Sequence, residues 1–311
     1  MKPAASVLLL TTLTGFAYGL LTWLGLYVAV GAPPAARLLV LAGVGVGVIL
    51  ATLGLIASML HLGRKERAWR AFSQWRSSWL SREGVAAVLT YPIALAFAWA
   101  EYRAPGSSAA RALGVVVALA SLGTVYCTAM IYASLKPIRQ WHNQHTAPDY
   151  LIYALFSGAT LFALLHTLAF GTAALAASLA ALGALCALIA KLAYWRHVDA
   201  QSPIATLASA IGLPKDTPAR PLDAPHFTEN FILREMGFQI ARRHAAKLRR
   251  IALVVGFSLP LIFSLLARLG TFPLASSALA VACAALGLLT ERWLFFAQAT
   301  HVSALYYGRT I

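Results

Sequence analysis

Apolar residues run in eight long stretches, near residues 8–30, 38–60, 84–100, 112–135, 150–170, 173–195, 251–269 and 273–296, and most polar residues fall in the gaps between them. About 20 apolar residues at roughly 1.5 Å each are enough to cross the hydrocarbon of a bilayer as a helix. The pattern therefore predicts an all-α integral membrane protein: a bundle of eight transmembrane helices with interfacial amphipathic helices. Residues 1–311 read as a single polytopic membrane domain. Within it, 61–83 is an interfacial basic and aromatic segment, and 196–250 is a long cytoplasmic loop ending in a basic amphipathic helix. The first stretch is too long for a secretory signal and no small-residue cleavage site follows it, so it reads as an uncleaved span.

Composition supports the membrane assignment. The chain is 60% hydrophobic and 11% charged, against about 25% charged in soluble domains. Its net charge of +15 would suggest nucleic acid in a soluble protein. In a membrane protein the same excess reports topology, because cytoplasmic loops collect Lys and Arg. Assigning each basic residue to its nearer gap puts 21 of 25 on one side, six of them between the second and third spans. That asymmetry predicts a multi-pass protein of a bacterial inner membrane with both termini and both large basic loops in the cytoplasm. Glu101 with Arg103 reads as a solvated helix end on the opposite side. Cys127, Cys186 and Cys283 are isolated within apolar spans and read as buried, inert thiols. With no CxxC or cluster-binding run, the chain supplies no iron–sulfur centre of its own.

The gap from His61 to Glu83 reads HLGRKERAWRAFSQWRSSWLSRE. Trp69, Phe72, Trp75 and Trp79 recur at three, three and four residues, so a helix would place them on one face. Arg64, Arg67, Arg70, Arg76 and Arg82 surround them. Such a helix would lie in the interface, with its rings at headgroup depth, as a surface anchor, as a pocket wall, or as both. The later gap opens with Pro203, Pro214, Pro218, Pro221 and Pro225, as an extended segment does. It continues into a helix capped by Thr228 or Asn230. One side carries Phe231, Phe238, Ala241, Ala245 and Leu248; the other carries most of Arg242, Arg243, Lys247, Arg249 and Arg250. That face suits lipid headgroups or an acidic soluble partner. Around Gly171 and Thr172 the chain should form a tight hairpin between spans five and six.

Ionisable groups at a membrane span are costly and mark function by default. His61 ends the second span and Glu83 starts the third, so both belong at the same level. An imidazole titrating near pH 6.5 and a carboxyl near 4.3 can pass protons, as two-electron chemistry on a quinone requires. A b-type haem wants two facing axial histidines. His166 alone lies within a span, without a matching partner, so it reads as a packed or hydrogen-bonded residue and haem is not expected. Glu291 and Arg292, near the end of span eight, either pair with each other or snorkel to the interface. Tyr91-Pro92 should kink span three, and Tyr126 and Tyr132 can line a pocket or pack.

His61-Leu62-Gly63-Arg64, Arg67-Ala68 and Ser78-Trp79-Leu80-Ser81-Arg82-Glu83 together resemble the hallmark of the DmsC-type membrane anchors, eight-helix subunits of molybdopterin oxidoreductases. The resemblance implies quinol or quinone binding at His61 and Glu83, with ubiquinone or menaquinone as the ligand and no haem. It also implies an iron–sulfur, four-cluster ferredoxin-like partner and a molybdopterin catalytic subunit, which carry the clusters and the molybdenum. On this basis His61 exchanges a proton with a quinone oxygen and Glu83 relays it to water. Arg64 and Arg82 steer the headgroup or orient Glu83, while Trp79 and Tyr91 wall the ring. Arg67, Arg70, Arg242, Arg243 and Lys247 suit partner docking. The stretch from Arg234 to Arg250 is similar to the sulfite-oxidising branch, in which quinone would be reduced. The alternatives are a quinol-oxidising anchor of a dimethyl sulfoxide reductase-type enzyme, a small-anion transporter gated by the basic segment, and an anchor without a quinone site of its own.

Overall fold

A backbone in hydrocarbon can satisfy its N–H and C=O groups only internally, so an apolar stretch of spanning length becomes a helix. The computed structural model describes residues 3–60, 64–202, 205–220, 222 and 244–307. It contains eight helices long and apolar enough to cross a membrane. These are α1 (Ala5–Ala29), α2 (Arg37–Met59, after a 3-10 turn Pro34–Ala36), α3 (Trp79–Arg103), α4 (Ser108–Ala133), α5 (Thr146–Phe170), α6 (Ala174–Ala200), α7 (Ala245–Arg268) and α8 (Pro273–Ala297). No named strand occurs among the described residues. Successive helices run up and down, so the starts of the odd-numbered helices and the ends of the even-numbered ones share one end. The basic gaps lie there too, and make it the basic end of the bundle.

Helix α1 is the axis of the bundle and packs against α2, α4 and α5. Between apolar helices in lipid, close van der Waals contact replaces the hydrophobic effect as the attraction, and small residues permit it. A Cβ at Gly158 of α5 would overlap the backbone of Gly19 and Leu20, and one at Gly25 would overlap the Gly114 carbonyl of α4. Helix α3 lies outside this centre, packed mainly on α4. Helices α6, α7 and α8 build the opposite side, where α7 contains a π-helical turn, Val254–Ser258. The α5–α6 hairpin is as tight as predicted, with Gly171 left-handed at φ 72°.

The structure corrects several expectations. Over its described part, the segment 61–83 is not one α-helix. A 3-10 helix covers Lys65–Phe72, turns follow, and α3 starts at Trp79. The reason is local. Arg82 folds back and donates from Nε to the Trp75 carbonyl (3.0 Å) and from Nη2 to the Arg76 carbonyl (2.7 Å), which holds the turn closed. The aromatic row is thereby divided: Trp69 and Trp75 are exposed, Phe72 covers Gly84, and Trp79 belongs to α3. Glu101 is buried rather than solvated, because its Oε2 accepts from the Gly106 backbone N–H (3.1 Å) and closes the α3–α4 turn. The cysteines lie toward the perimeter rather than the core, with Cys186 exposed and the other two half-buried. Lys191 and Arg292, which fall nearest the basic gaps along the chain, are buried inside helices α6 and α8. In the long loop, a single turn Leu207–Ala210 is capped by Thr206, and α7 begins at Ala245. The helix predicted upstream of it lies almost wholly outside the described residues.

Candidate functional site

Because α3 starts at Trp79, Glu83 sits within its second turn instead of ahead of it. Glu83 is buried, and its Oε1 accepts a 2.6 Å hydrogen bond from the Thr128 hydroxyl of α4. Thr128 is five residues before the last residue of its antiparallel helix, which sets the two side chains at one level. A second rung follows along the same pair of helices, where the Thr90 and Thr124 hydroxyls are 3.2 Å apart. On the face toward α2, the Tyr91 hydroxyl lies 2.8 Å from Thr52 Oγ1. Tyr91 also lines a small crevice with Tyr18, Val48 and Ala51, between α1, α2 and α3.

Trp79, one turn before Glu83, is half-buried. Its ring meets Tyr126 of α4 edge-on at 5.9 Å and carries the Arg82 guanidinium on its face at 4.3 Å. Tyr126 therefore borders the site, whereas Tyr132 packs away from it against Trp141, Tyr150, Phe295 and Phe296. The guanidinium of Arg82 is occupied in holding the preceding turn, so its effect on Glu83 passes through the backbone that positions α3. Arg64 is exposed at the basic end, as are Arg67 and Arg70 on the 3-10 helix and Lys247 at the start of α7. His61, Arg242 and Arg243 lie outside the described residues.

The histidines and other ionisable groups are also placed. Nδ1 of His166 lies 2.6 Å from the Thr172 carbonyl, near the far end of α5, and its ring packs on Phe170. It is therefore a hydrogen-bonded residue of the hairpin, at helix-end depth rather than deep in a span. His145, ahead of α5, faces His197 with ring centroids 5.0 Å apart. Partial burial and that neighbour lower its pKa from the ordinary value. Among the described residues no group of three or more His, Cys, Asp or Glu is arranged to hold a metal ion.

A second polar centre is not legible in the sequence. Lys191 of α6 lies 2.5 Å from Glu291 of α8, with both side chains 1% exposed. Arg292 Nε is 3.5 Å from the other Glu291 oxygen. The Arg292 guanidinium stacks on Tyr150 at 3.7 Å, and buried Asp149 accepts a 3.4 Å hydrogen bond from Tyr153. In the sequence, Glu291-Arg292 signals a pair but not its partner. Lys191 and Asp149 stand alone in apolar or helix-start contexts, and only the contact of α5, α6 and α8 joins them.

The donors and walls around Glu83 suit a planar ring bearing polar oxygens, such as a quinone. A buried carboxyl supplies the polar end, Trp79 and Tyr126 supply aromatic surface, and the Tyr91 hydroxyl lies further along the same helix.

A family model described as DMSO reductase anchor subunit (DmsC) matches residues 1–296. The chain is also 35% identical to a sulfite dehydrogenase subunit of Allochromatium vinosum, over 332 aligned residues that cover 99% of each protein.

Proposed function

The chain belongs to the family of DMSO reductase anchor subunits, and from that premise we propose that it is the quinone-reacting membrane anchor of a molybdenum and iron–sulfur oxidoreductase that oxidises sulfite. As a member of that family it is a multi-pass membrane anchor of an oxidoreductase complex. The observation that carries the quinone reading is the buried Glu83 carboxyl, held by Thr128 at the basic end beside an aromatic wall. Sulfite is favoured as electron donor by the full-length similarity to a sulfite dehydrogenase subunit.

A bound quinone supplies two-electron, two-proton chemistry at the membrane surface. The chain's own residues bind, orient and exchange protons. Glu83 takes or gives a proton in a site closed on one side by α4. Thr128 holds one carboxylate oxygen of Glu83 and leaves the other for proton exchange. Trp79 and Tyr91 confine the ring, and Arg82 holds the turn that sets the start of α3. His61, two residues beyond Met59, is assigned the partner role of exchanging a proton with a quinone oxygen. Electrons arrive from an iron–sulfur subunit docked on the exposed arginines of the basic end, Arg67 and Arg70 among them, with the molybdopterin subunit beyond it. The basic end faces the cytoplasm by the excess of Lys and Arg there.

Glu83→Gln in the assembled complex tests this reading. Quinone turnover should fall by about 100-fold, the lower end of what a positioned acid–base group contributes, while artificial acceptors that take electrons directly from the catalytic subunits are reduced as before. Undiminished quinone turnover would refute it.

A further inference from the structure

Glu83 is backed by Thr128 of α4, and further polar groups lie behind that contact. Thr128, which bonds Glu83, also lines a small cavity between α1, α4, α5 and α8. Thr11, Thr12, Ser157, Tyr153 and Arg292 line the same space. It has a volume of about 20 Å³, which is room for a water molecule in polar surroundings. Thr12 Oγ1 is buried there with no hydrogen-bond partner, the condition that internal water relieves. On its far side the cavity meets the buried charges, because Tyr153 reaches Asp149 and Arg292 reaches Glu291, which in turn holds Lys191. The Tyr194 ring stands over the Lys191 ammonium at 4.1 Å. Tyr194 also lines a groove of about 360 Å³ at the basic end, with Arg139, Gln140, Asp199 and Arg249.

A buried ion cluster with a purely architectural duty would be dry and fully hydrogen-bonded, since each desolvated charge costs several kcal/mol. This one is not fully hydrogen-bonded, and a cavity able to hold water adjoins it. Glu291 Oε2 is buried with no hydrogen bond, and among the described residues Asp149 has no cation within 4 Å. Two carboxyls, two cations and a cavity able to hold water are the parts of a proton relay, as found at intramembrane ionisable groups with a functional role.

We propose that the Asp149–Lys191–Glu291–Arg292 cluster and the threonine-lined cavity form an internal proton path between Glu83 and the groove at the basic end. The path rests on the reading of Glu83 as the proton-exchanging group of a quinone site. For each two-electron reduction, two protons pass from the groove past Tyr194 to the carboxyls of the cluster. From there they cross the cavity to Glu83, and Glu83 delivers them to the site. The two electrons come separately from the partner subunit, so charge and atoms balance at the ring. Quinol oxidation would run the same path outward.

The test uses the assembled complex with sulfite and a short-chain quinone, in H2O and in D2O. Glu291→Gln disables the cluster. Thr12→Val removes one cavity hydroxyl without touching an ion pair, and decides the matter if Glu291→Gln does not assemble. Each variant should lower kcat about tenfold and raise the solvent isotope ratio, with KM for quinone kept within about twofold, because the path feeds the site without forming it. Glu291→Asp should recover most of the rate. Wild-type kcat and isotope ratio in Thr12→Val would overturn the path. If Glu83→Gln stops turnover while both path variants run normally, the path alone fails; if Glu83→Gln runs normally, the quinone-site reading fails and takes the path with it.

Discussion

The Thr128 hydroxyl donates to Glu83 Oε1 at 2.6 Å from a neighbouring antiparallel helix, 45 residues away along the chain. It is a positioning contact between the one helix that carries the acid and the one that backs it. Thr124 O, at 3.2 Å, is the alternative acceptor within the Thr128 helix. The carboxyl oxygen therefore competes with an ordinary helix back-bond, and the shorter distance shows which acceptor is favoured.

Thr128→Val keeps the shape and removes the donor. A hydrogen bond to a charged group contributes about 1.5–3 kcal/mol, so quinone turnover in the complex should drop by roughly tenfold or more. Thr128→Ser should restore most of it. Steady-state assays with a soluble quinone measure both, and equal rates for Val and wild type would remove the contact from the mechanism.

Lys191→Met leaves Glu291 with only Arg292 at 3.5 Å. Stripping one partner from a buried pair costs roughly 3–5 kcal/mol, so the variant should lose much of its thermal stability in detergent. The double variant Lys191→Met, Glu291→Leu should regain part of it, because the Lys191–Glu291 pair is then gone while Arg292 is left on the Tyr150 and Tyr153 rings without its carboxylate. Thermal unfolding of the purified anchor complex would show the recovery, and a double variant no better than the single one would mean that the charges support the fold by another route.

Gly158→Leu should prevent assembly. Its Cβ alone would overlap the backbone of α1 at Gly19 and Leu20, and overpacking costs about 1–3 kcal/mol even where side chains rather than backbone yield. Gly123, with open space around it, is the control site. Membrane-inserted yield of the two Leu variants distinguishes them, and equal yields would contradict the packing.

His145 carries a lowered pKa, through partial burial first and the neighbouring His197 second. A base whose folded pKa lies below its unfolded value favours the folded state fully when neutral. Stability is therefore complete above the ordinary value of 6.5, and declines as the pH falls below it toward the folded pKa. Thermal midpoints of wild type and His145→Gln between pH 7.5 and 5 should converge at the upper end and separate at the lower, with the variant less sensitive. Parallel curves would assign the pH dependence elsewhere.

The amino-acid sequence by itself determined the eight spans and the end of the bundle that carries most of the basic charge. It also singled out the segment around Glu83. Each of these is a local property: spanning length follows from a run of apolar residues, and charge segregation from counting along the chain. Helix α1 against α4 and α5, and α3 against α4, were decided only in three dimensions, because an apolar helix in lipid carries no periodic stripe that names its neighbour. The same is true of Glu83 and Thr128, and of Lys191 and Glu291, which are 100 residues apart in the chain. Even the segment 61–83 misled, since aromatic spacing fits a helix while two backbone carbonyls captured by Arg82 fold it into a turn. Local chemistry is written in order along the chain; which buried polar groups meet depends on how helices pack, and that is settled by shape at glycine contacts and by the cost of leaving a charge unpaired.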